Sequence, residues 1–478
     1  MSKKIKTLII SLGVLVLLGG GYYLSTIYQK KKEEAARPVY NRDAAPRIGN
    51  LETSKLVKME VSNIVLEKIG DTWILTSLDG MDPPGGIELE QSPIVSMTYS
   101  LASVWTDRIL DEEPEDLDVY GLNDNAIRTV VTDSDGKRVV YLLGDITPSR
   151  TSFYAMEEGD PKVYIISYYT AENMTIDLDK LRKKFLFPDF EVFDITVIRL
   201  DTAGTRVEIK PKPDPLPAHL SSGFISHVIT SPYKIPRGVD GENFNNFVTP
   251  LKELNIRDFI DDAPSSLVPY GLDKPVRVFL ELQNAYTLDL LIGSPVDGNH
   301  YAKLADAPGV FTLAGMDAIV NARPYSLTDK FALLVNIDKV EHLAVYGGEQ
   351  PITVAFQGKG DDGVYTVNGK KAETKSFKTF YQAVIGLLSD AEMPGGGIAA
   401  PEARRGILDL LSSQSNLEAG HIRIEYLLDD PAGVWVSITL VPYDRDFYAL
   451  QQEGYREFLI SRNQVRRIYE TFDALIYE

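Results

Sequence analysis

The side chains able to do chemistry are few and badly spaced. Five histidines, His219, His227, His300, His342 and His421, serve a chain of 478 residues. No two fall at i, i+2 or i+4, so neither a helix face nor a strand offers a metal pair. His219 and His227 share one loop, which makes a metal conceivable there; the expectation for the whole chain is no metal and no cofactor. There are no cysteines, which removes disulfides, thiol nucleophiles and thiolate metal sites. "GKGDDG" at 358–363 satisfies G-x-G-x-x-G, but the strand-like "VYTVNGK" follows where the dinucleotide motif needs a helix N-terminus. It reads as a hairpin turn.

The acidic run "DEEPEDLD" (111–118) lacks the glycine-spaced oxygen ligands of a calcium loop and reads as a solvated connector. "DSDG" (133–136) is turn chemistry. Carboxylates for acid–base catalysis meet in space rather than in chain order, and nothing here nominates a pair. No catalytic residue is therefore expected, and the chain is expected not to be an enzyme. The net charge of −19 argues against a nucleic-acid partner, since a polyanion is bound by a basic surface that releases its counterions.

The elements that would position any site are easier to read. Thr7–Gln29 carries no charge. As a helix it would rise about 34 Å, enough to cross a hydrocarbon core of about 30 Å. With no small-x-small cleavage site closing the run, an uncleaved transmembrane anchor is expected, its bulk outside the cytoplasm. Lys3, Lys4 and Lys6 before the span and Lys30, Lys31, Lys32 and Arg37 after it leave orientation to the short leading tail. Residues 1–29 are thus the tail and anchor, and 30–49 a linker.

Beyond the linker a pattern recurs. "SFYAMEEGDPKVYIIS" (152–167), "NHYAKLADAPGVFTLA" (299–314) and "DFYALQQEGYREFLIS" (446–461) place Tyr154, Tyr301 and Tyr448 at equal intervals of 147 residues. Ten residues on stand Tyr164, Phe311 and Phe458. Tyr120-Gly121-Leu122 and Tyr270-Gly271-Leu272 precede the second set of strands in two of the three stretches. Such self-similarity marks a repeat architecture. The expected fold is α+β: three tandem modules at 50–193, 194–337 and 338–478, each a mostly antiparallel sheet with two helices. The aromatic and Tyr-Gly-Leu positions are read as packing positions, the third module as divergent. Ile94, Met97, Leu101 and Val104 predict one helix, Phe244, Phe247, Leu251 and Leu254 a second, and Phe377, Phe380, Tyr381, Val384 and Leu388 a third. Helical stretches are also expected to close each module, among them "SLTDKFALL" (326–334). Inside the second module, 211–236 puts Pro211, Pro213, Pro215 and Pro217 at alternate positions. Proline at this density favours extended backbone and prevents ladder pairing, so this segment is the expected partner loop.

Together the Lys-rich start, the single span, "WILTS", "EEPEDLDVYGL", "VVYLLGD", "FYA" and "VYIIS" resemble a bacterial membrane-anchored domain of unknown function, family 4340. The resemblance is strongest over the first module and weakest over the third. Members are often encoded beside gliding-motility-type ABC transporters. The resemblance therefore implies a periplasmic or otherwise extracytoplasmic scaffold or auxiliary subunit on the inner or cytoplasmic membrane, with transporter subunits as partners. The runner-up is an envelope hydrolase or carbohydrate-active protein with its site between modules.

Overall fold

The computed structural model describes residues 46–202, 204–217, 220, 225–399 and 417–478. Short runs rich in Val, Ile, Thr and aromatic residues, bounded by turns, form antiparallel ladders throughout, as β-branched and aromatic side chains favour. An eight-stranded sheet runs in the order Thr72–Leu78, Ile64–Ile69, Leu56–Val61, Ile127–Asp133, Arg138–Ile146, Ser152–Glu157, Val163–Ser167, Arg108–Asp111. A nine-stranded sheet runs Arg237–Gly238, His227–Ser231, Thr205–Pro211, Ile195–Thr202, Val276–Leu282, Thr287–Val296, Asn299–Leu304, Val310–Ala314, Ile256–Asp261. In the ten-stranded sheet the path from Lys370–Ala372 reaches the hairpin Phe447–Gln452/Tyr455–Ser461, and Ala391–Glu392 and Ile398–Ala399 both pair with that last strand. Arg47–Ile48 and Val104–Trp105 make a fourth, two-stranded sheet.

The α-helices among the described residues are α1 (Gln91–Ala102), α2 (Tyr168–Glu172), α3 (Leu178–Leu181), α4 (Gly241–Lys252), α5 (Asp317–Val320), α6 (Pro324–Leu327), α7 (Thr374–Ile385) and α8 (Arg462–Asp473). The three long helices read from apolar spacing are present and bury Ile94, Met97 and Leu101 on α1, Phe244, Phe247 and Leu251 on α4, and Phe377, Phe380, Tyr381 and Val384 on α7. The ends differ. Val104 belongs to a strand, Leu254 lies past α4, and Leu388 lies past α7 and is exposed. Of "SLTDKFALL" only its first two residues are helical, in α6, because Thr328 leaves the helix in extended conformation.

The expected architecture needs correcting. Two compact units replace three modules: one ends at Arg182, the other takes Lys183–Glu478 together with Pro84–Gly86. In the second unit a single continuous core runs from Phe190 to Leu475, so 194–337 and 338–478 do not stand as separate domains. The first unit has its own main core, from Ile48 to Leu181. The described helices divide three, three and two over the expected ranges rather than two each. Repetition belongs to the sheets. No described helix is long and apolar enough to cross a membrane. Thr7–Gln29, the expected anchor, and most of the 30–49 linker lie outside the described residues.

Candidate functional site

In the second unit, the edge strand Arg237–Gly238 of the nine-stranded sheet meets the hairpin strand Tyr455–Ser461 of the ten-stranded one. Ionisable side chains gather at this seam. Arg237 is almost fully buried, donates from Nη1 to Gln452 Oε1 at 2.6 Å, and lies 4.7 Å from the Phe458 ring centroid. Burial draws its pKa down to about 10, against the pull of Glu457. Glu457 accepts the Lys234 backbone N–H at 2.6 Å, and burial holds its carboxyl above the usual range. The Tyr233 hydroxyl donates to Glu392 Oε1 at 2.6 Å, while its ring stands 5.0 Å from that of Phe458. On the other flank, burial raises Asp329 and lowers Lys330. Tyr325 donates to the Ser389 carbonyl at 2.5 Å.

Clustered perturbed groups are a usual sign of catalysis. The cavity that Arg237 and Asp329 line holds about 20 Å³, room for one water and no substrate. Among the described residues, Arg237 Nε and Nη2, Gln452 Nε2 and Glu457 Oε2 have no hydrogen-bond partner. Burial where the two sheets pack is the largest cause of each of these shifts. Chain order hid the seam: Arg237 and Gln452 are 215 residues apart, and nothing local marks either.

The sequence-nominated positions separate into two groups. Tyr154 and Tyr301 share surroundings. Tyr154 meets Tyr120 edge-on at 5.1 Å, and Tyr120 donates to Asp111 at 3.0 Å. Tyr301 meets Tyr270 edge-on at 5.2 Å, and Tyr270 donates to Asp261 at 2.9 Å. Gly121 and Gly271 cap the 3-10 turns with φ of +69° and +66°, and a side chain on either would strike Asp145 or Ser294. Leu122 and Leu272 are buried. Tyr154 and Leu122 belong to a small cluster with Met156 and Val163, whereas Ala155 and Tyr164 face the main core. Phe311 and Ala302 likewise face the core.

Tyr448 does the reverse. Tyr448 and Phe458 enter the main core, and Ala449 joins Val441 and Leu459 in a separate cluster. Arg462 lies 4.3 Å from the Tyr448 ring centroid, where the other two have a tyrosine. Phe458 keeps the core side that Tyr164 and Phe311 take, so only the first strand of the hairpin is turned over. Tyr448 pairs with Ile460, where Tyr154 pairs with Ile165 and Tyr301 with Thr312, a register different by one residue.

Two pieces of the proline segment, Pro211 and His227–Ser231, belong to the sheet. Pro211 ends a strand opposite His227, a position where its missing N–H costs little. Pro213 and Pro215 are exposed and Pro217 half-buried. The remainder, from His227 to Gly238, supplies two strands and the seam residues Tyr233, Lys234 and Arg237. Its described contact is thus with the ten-stranded sheet of the same chain. Of the histidines, His227 is buried, 5.0 Å from Phe244, and desolvation lowers its pKa. His300 is buried near Asp317, His421 lies 3.4 Å from Glu418, and His342 is exposed. His219 lies outside the described residues. No described group of three His, Cys, Asp or Glu is arranged to hold a metal.

The described residues define a chain of mostly antiparallel sheets. The family described as "Domain of unknown function (DUF4340)" matches residues 80–275 and 264–391, which together exceed half of the chain. The chain belongs to this family. No curated protein and no solved structure matches it.

Proposed function

We propose that the chain is a non-catalytic, membrane-anchored extracytoplasmic scaffold or auxiliary subunit of an ABC-type transporter complex. The observation that supports the non-catalytic part is beside the seam, where the cavity lined by Arg237 and Asp329 holds about 20 Å³, too little for a substrate. The runner-up, a hydrolase with its site between modules, would need open volume there. Long antiparallel sheets offer broad surface for partners, which suits binding better than turnover. The anchor rests on the uncharged Thr7–Gln29 stretch, and the transporter partner on the family resemblance.

The test is purification of the native protein in gentle detergent, followed by mass spectrometry of what accompanies it. Transporter subunits in stoichiometric amount are expected. Recovery of the chain alone would overturn the reading.

A further inference from the structure

A helix face of the first unit stands open and uncharged. α1 buries Ile94, Met97 and Leu101 on one side. Its opposite arc is Ser92, Val95, Ser96, Tyr99 and Ser100, and the whole helix holds no Asp, Glu, Lys or Arg, in a chain of which 24% is charged. Val95 and Tyr99 are 43% and 68% exposed. α2 extends the face: Tyr168 and Tyr169 are 48% and 72% exposed, and Asn173 Nδ2 donates to Ser100 Oγ at 3.1 Å, which seats α2 beside that arc. The charge at its edge, Glu172, is paired with Lys180 at 4.0 Å.

We propose that this face rests on the surface of a zwitterionic lipid bilayer. The proposal deepens the anchor reading given above and rests on it.

The course of the chain selects the bilayer. Only residues 30–45 separate the uncharged stretch Thr7–Gln29 from the described chain. Even fully extended, that length holds Pro46 within about 60 Å of Gln29. The described chain then enters at the end of α1. The Thr106 hydroxyl donates to the Pro46 carbonyl at 2.7 Å, Arg47–Ile48 pairs with Val104–Trp105, and the Leu51 N–H donates to the Ala102 carbonyl at 3.0 Å. Tyr99 and Arg47 line the same recess. The tether point and the open face therefore lie together, and a tether makes docking an intramolecular event at high effective concentration. A partner protein or a second copy has no such link.

Composition agrees. Tyrosine suits a bilayer interface, where its ring meets the apolar boundary and its hydroxyl meets water. No charge on the α1 arc has to be desolvated. The net charge of −19 sets the lipid class, because an anionic surface would repel the chain. Contact then depends on the rings and not on salt-screened attraction.

The absence of cysteine lets a fluorophore be placed at a single site. The experiment reconstitutes the full chain in phosphatidylcholine vesicles, part of whose lipid carries a nitroxide at the headgroup boundary. The label sits on Tyr99→Cys, on Tyr169→Cys or, as reference, on Tyr286→Cys of the second unit, which is 56% exposed. The first two labels should be quenched at least about threefold more than the third, because an interfacial face sits about 5–10 Å into that boundary. With the label on Val95→Cys, adding Tyr99→Ser and Tyr169→Ser should bring quenching down to the reference level. Both tyrosines are exposed, so the thermal midpoint is expected to hold. Equal quenching at all sites, or quenching that vanishes in high salt, overturns the proposal. Disulfide crosslinking of Tyr99→Cys chains without lipid quenching would give the face to a second copy and overturn it too. Flotation separates the two readings. A chain that floats with the vesicles while its first-unit labels stay unquenched refutes the docking alone; a chain left behind refutes the anchor and the docking with it.

Discussion

At the residue scale, His227 makes the clearest case. Its imidazole is packed by Phe244, and Nε2 lies 3.4 Å from the Ile195 carbonyl oxygen. Burial lowers its pKa, so the unfolded chain takes up a proton there more readily than the folded one. The stability this residue adds is complete above the unfolded value of about 6.5 and is lost as pH falls through the folded value. His227→Phe should therefore remove a pH-dependent component of the second unit's stability; identical pH–stability curves for the two proteins would refute the assignment. Tyr120 offers a second test. Its hydroxyl donates to Asp111, and Tyr120→Phe should lower the denaturant midpoint of the first unit. Tyr270→Phe should lower that of the second in the same way, since the Asp261 contact is nearly the same. Residues at this scale were partly legible. Tyr-Gly-Leu announced two such turns, because the left-handed glycine and its close neighbours restrict what can stand there. The face on which Tyr448 lies was not, because a gapless match of letters is blind to a register shift in the ladder.

At the element scale, apolar spacing found α1, α4 and α7, since burying one helical stripe is what stabilises an amphipathic helix. It overran their ends, where Val104 and Leu388 keep the period by chance while the backbone has turned away. Phe377 is fully buried and stacks on Tyr365 at 4.2 Å. Phe377→Ala should destabilise the second unit by about 3–5 kcal/mol, as deletion of a core ring usually does, read from denaturant midpoints at constant slope. Proline density misled in one respect. It predicted unpaired backbone across 211–236, yet His227–Ser231 pairs on both sides, with Thr205–Pro211 and with the edge strand Arg237–Gly238. Strand formation there depends on partners in Thr205–Pro211, and composition carries no information about them.

At the scale of the whole molecule, the seam decides how the chain unfolds. One core joins the nine- and ten-stranded sheets, so residues 183–478 should melt together. Calorimetry of the full chain is expected to give two cooperative transitions for the described residues, one per unit; three would contradict the shared core. Arg237 is buried with two nitrogens unpartnered, and its desolvation offsets what its hydrogen bond contributes. Removing one member of a buried polar pair strands the other. Arg237→Met, which leaves Gln452 Oε1 without its donor and Glu457 without its neighbouring charge, should thus lower the second transition by about 1–3 kcal/mol. None of this joining could be read from the equal spacing of Tyr154, Tyr301 and Tyr448, which suggested three beads of equal standing.

The clamp at the start of the described chain has a mechanical side. Gly49 holds a φ of +72°, and any side chain on it would overlap the Tyr141 hydroxyl, which itself donates to the Leu101 carbonyl at 2.8 Å. A pull applied ahead of Pro46 would therefore reach Val104–Trp105 and the end of α1 within a few residues. It would load the interior of the first unit directly, with no slack loop to take up the strain.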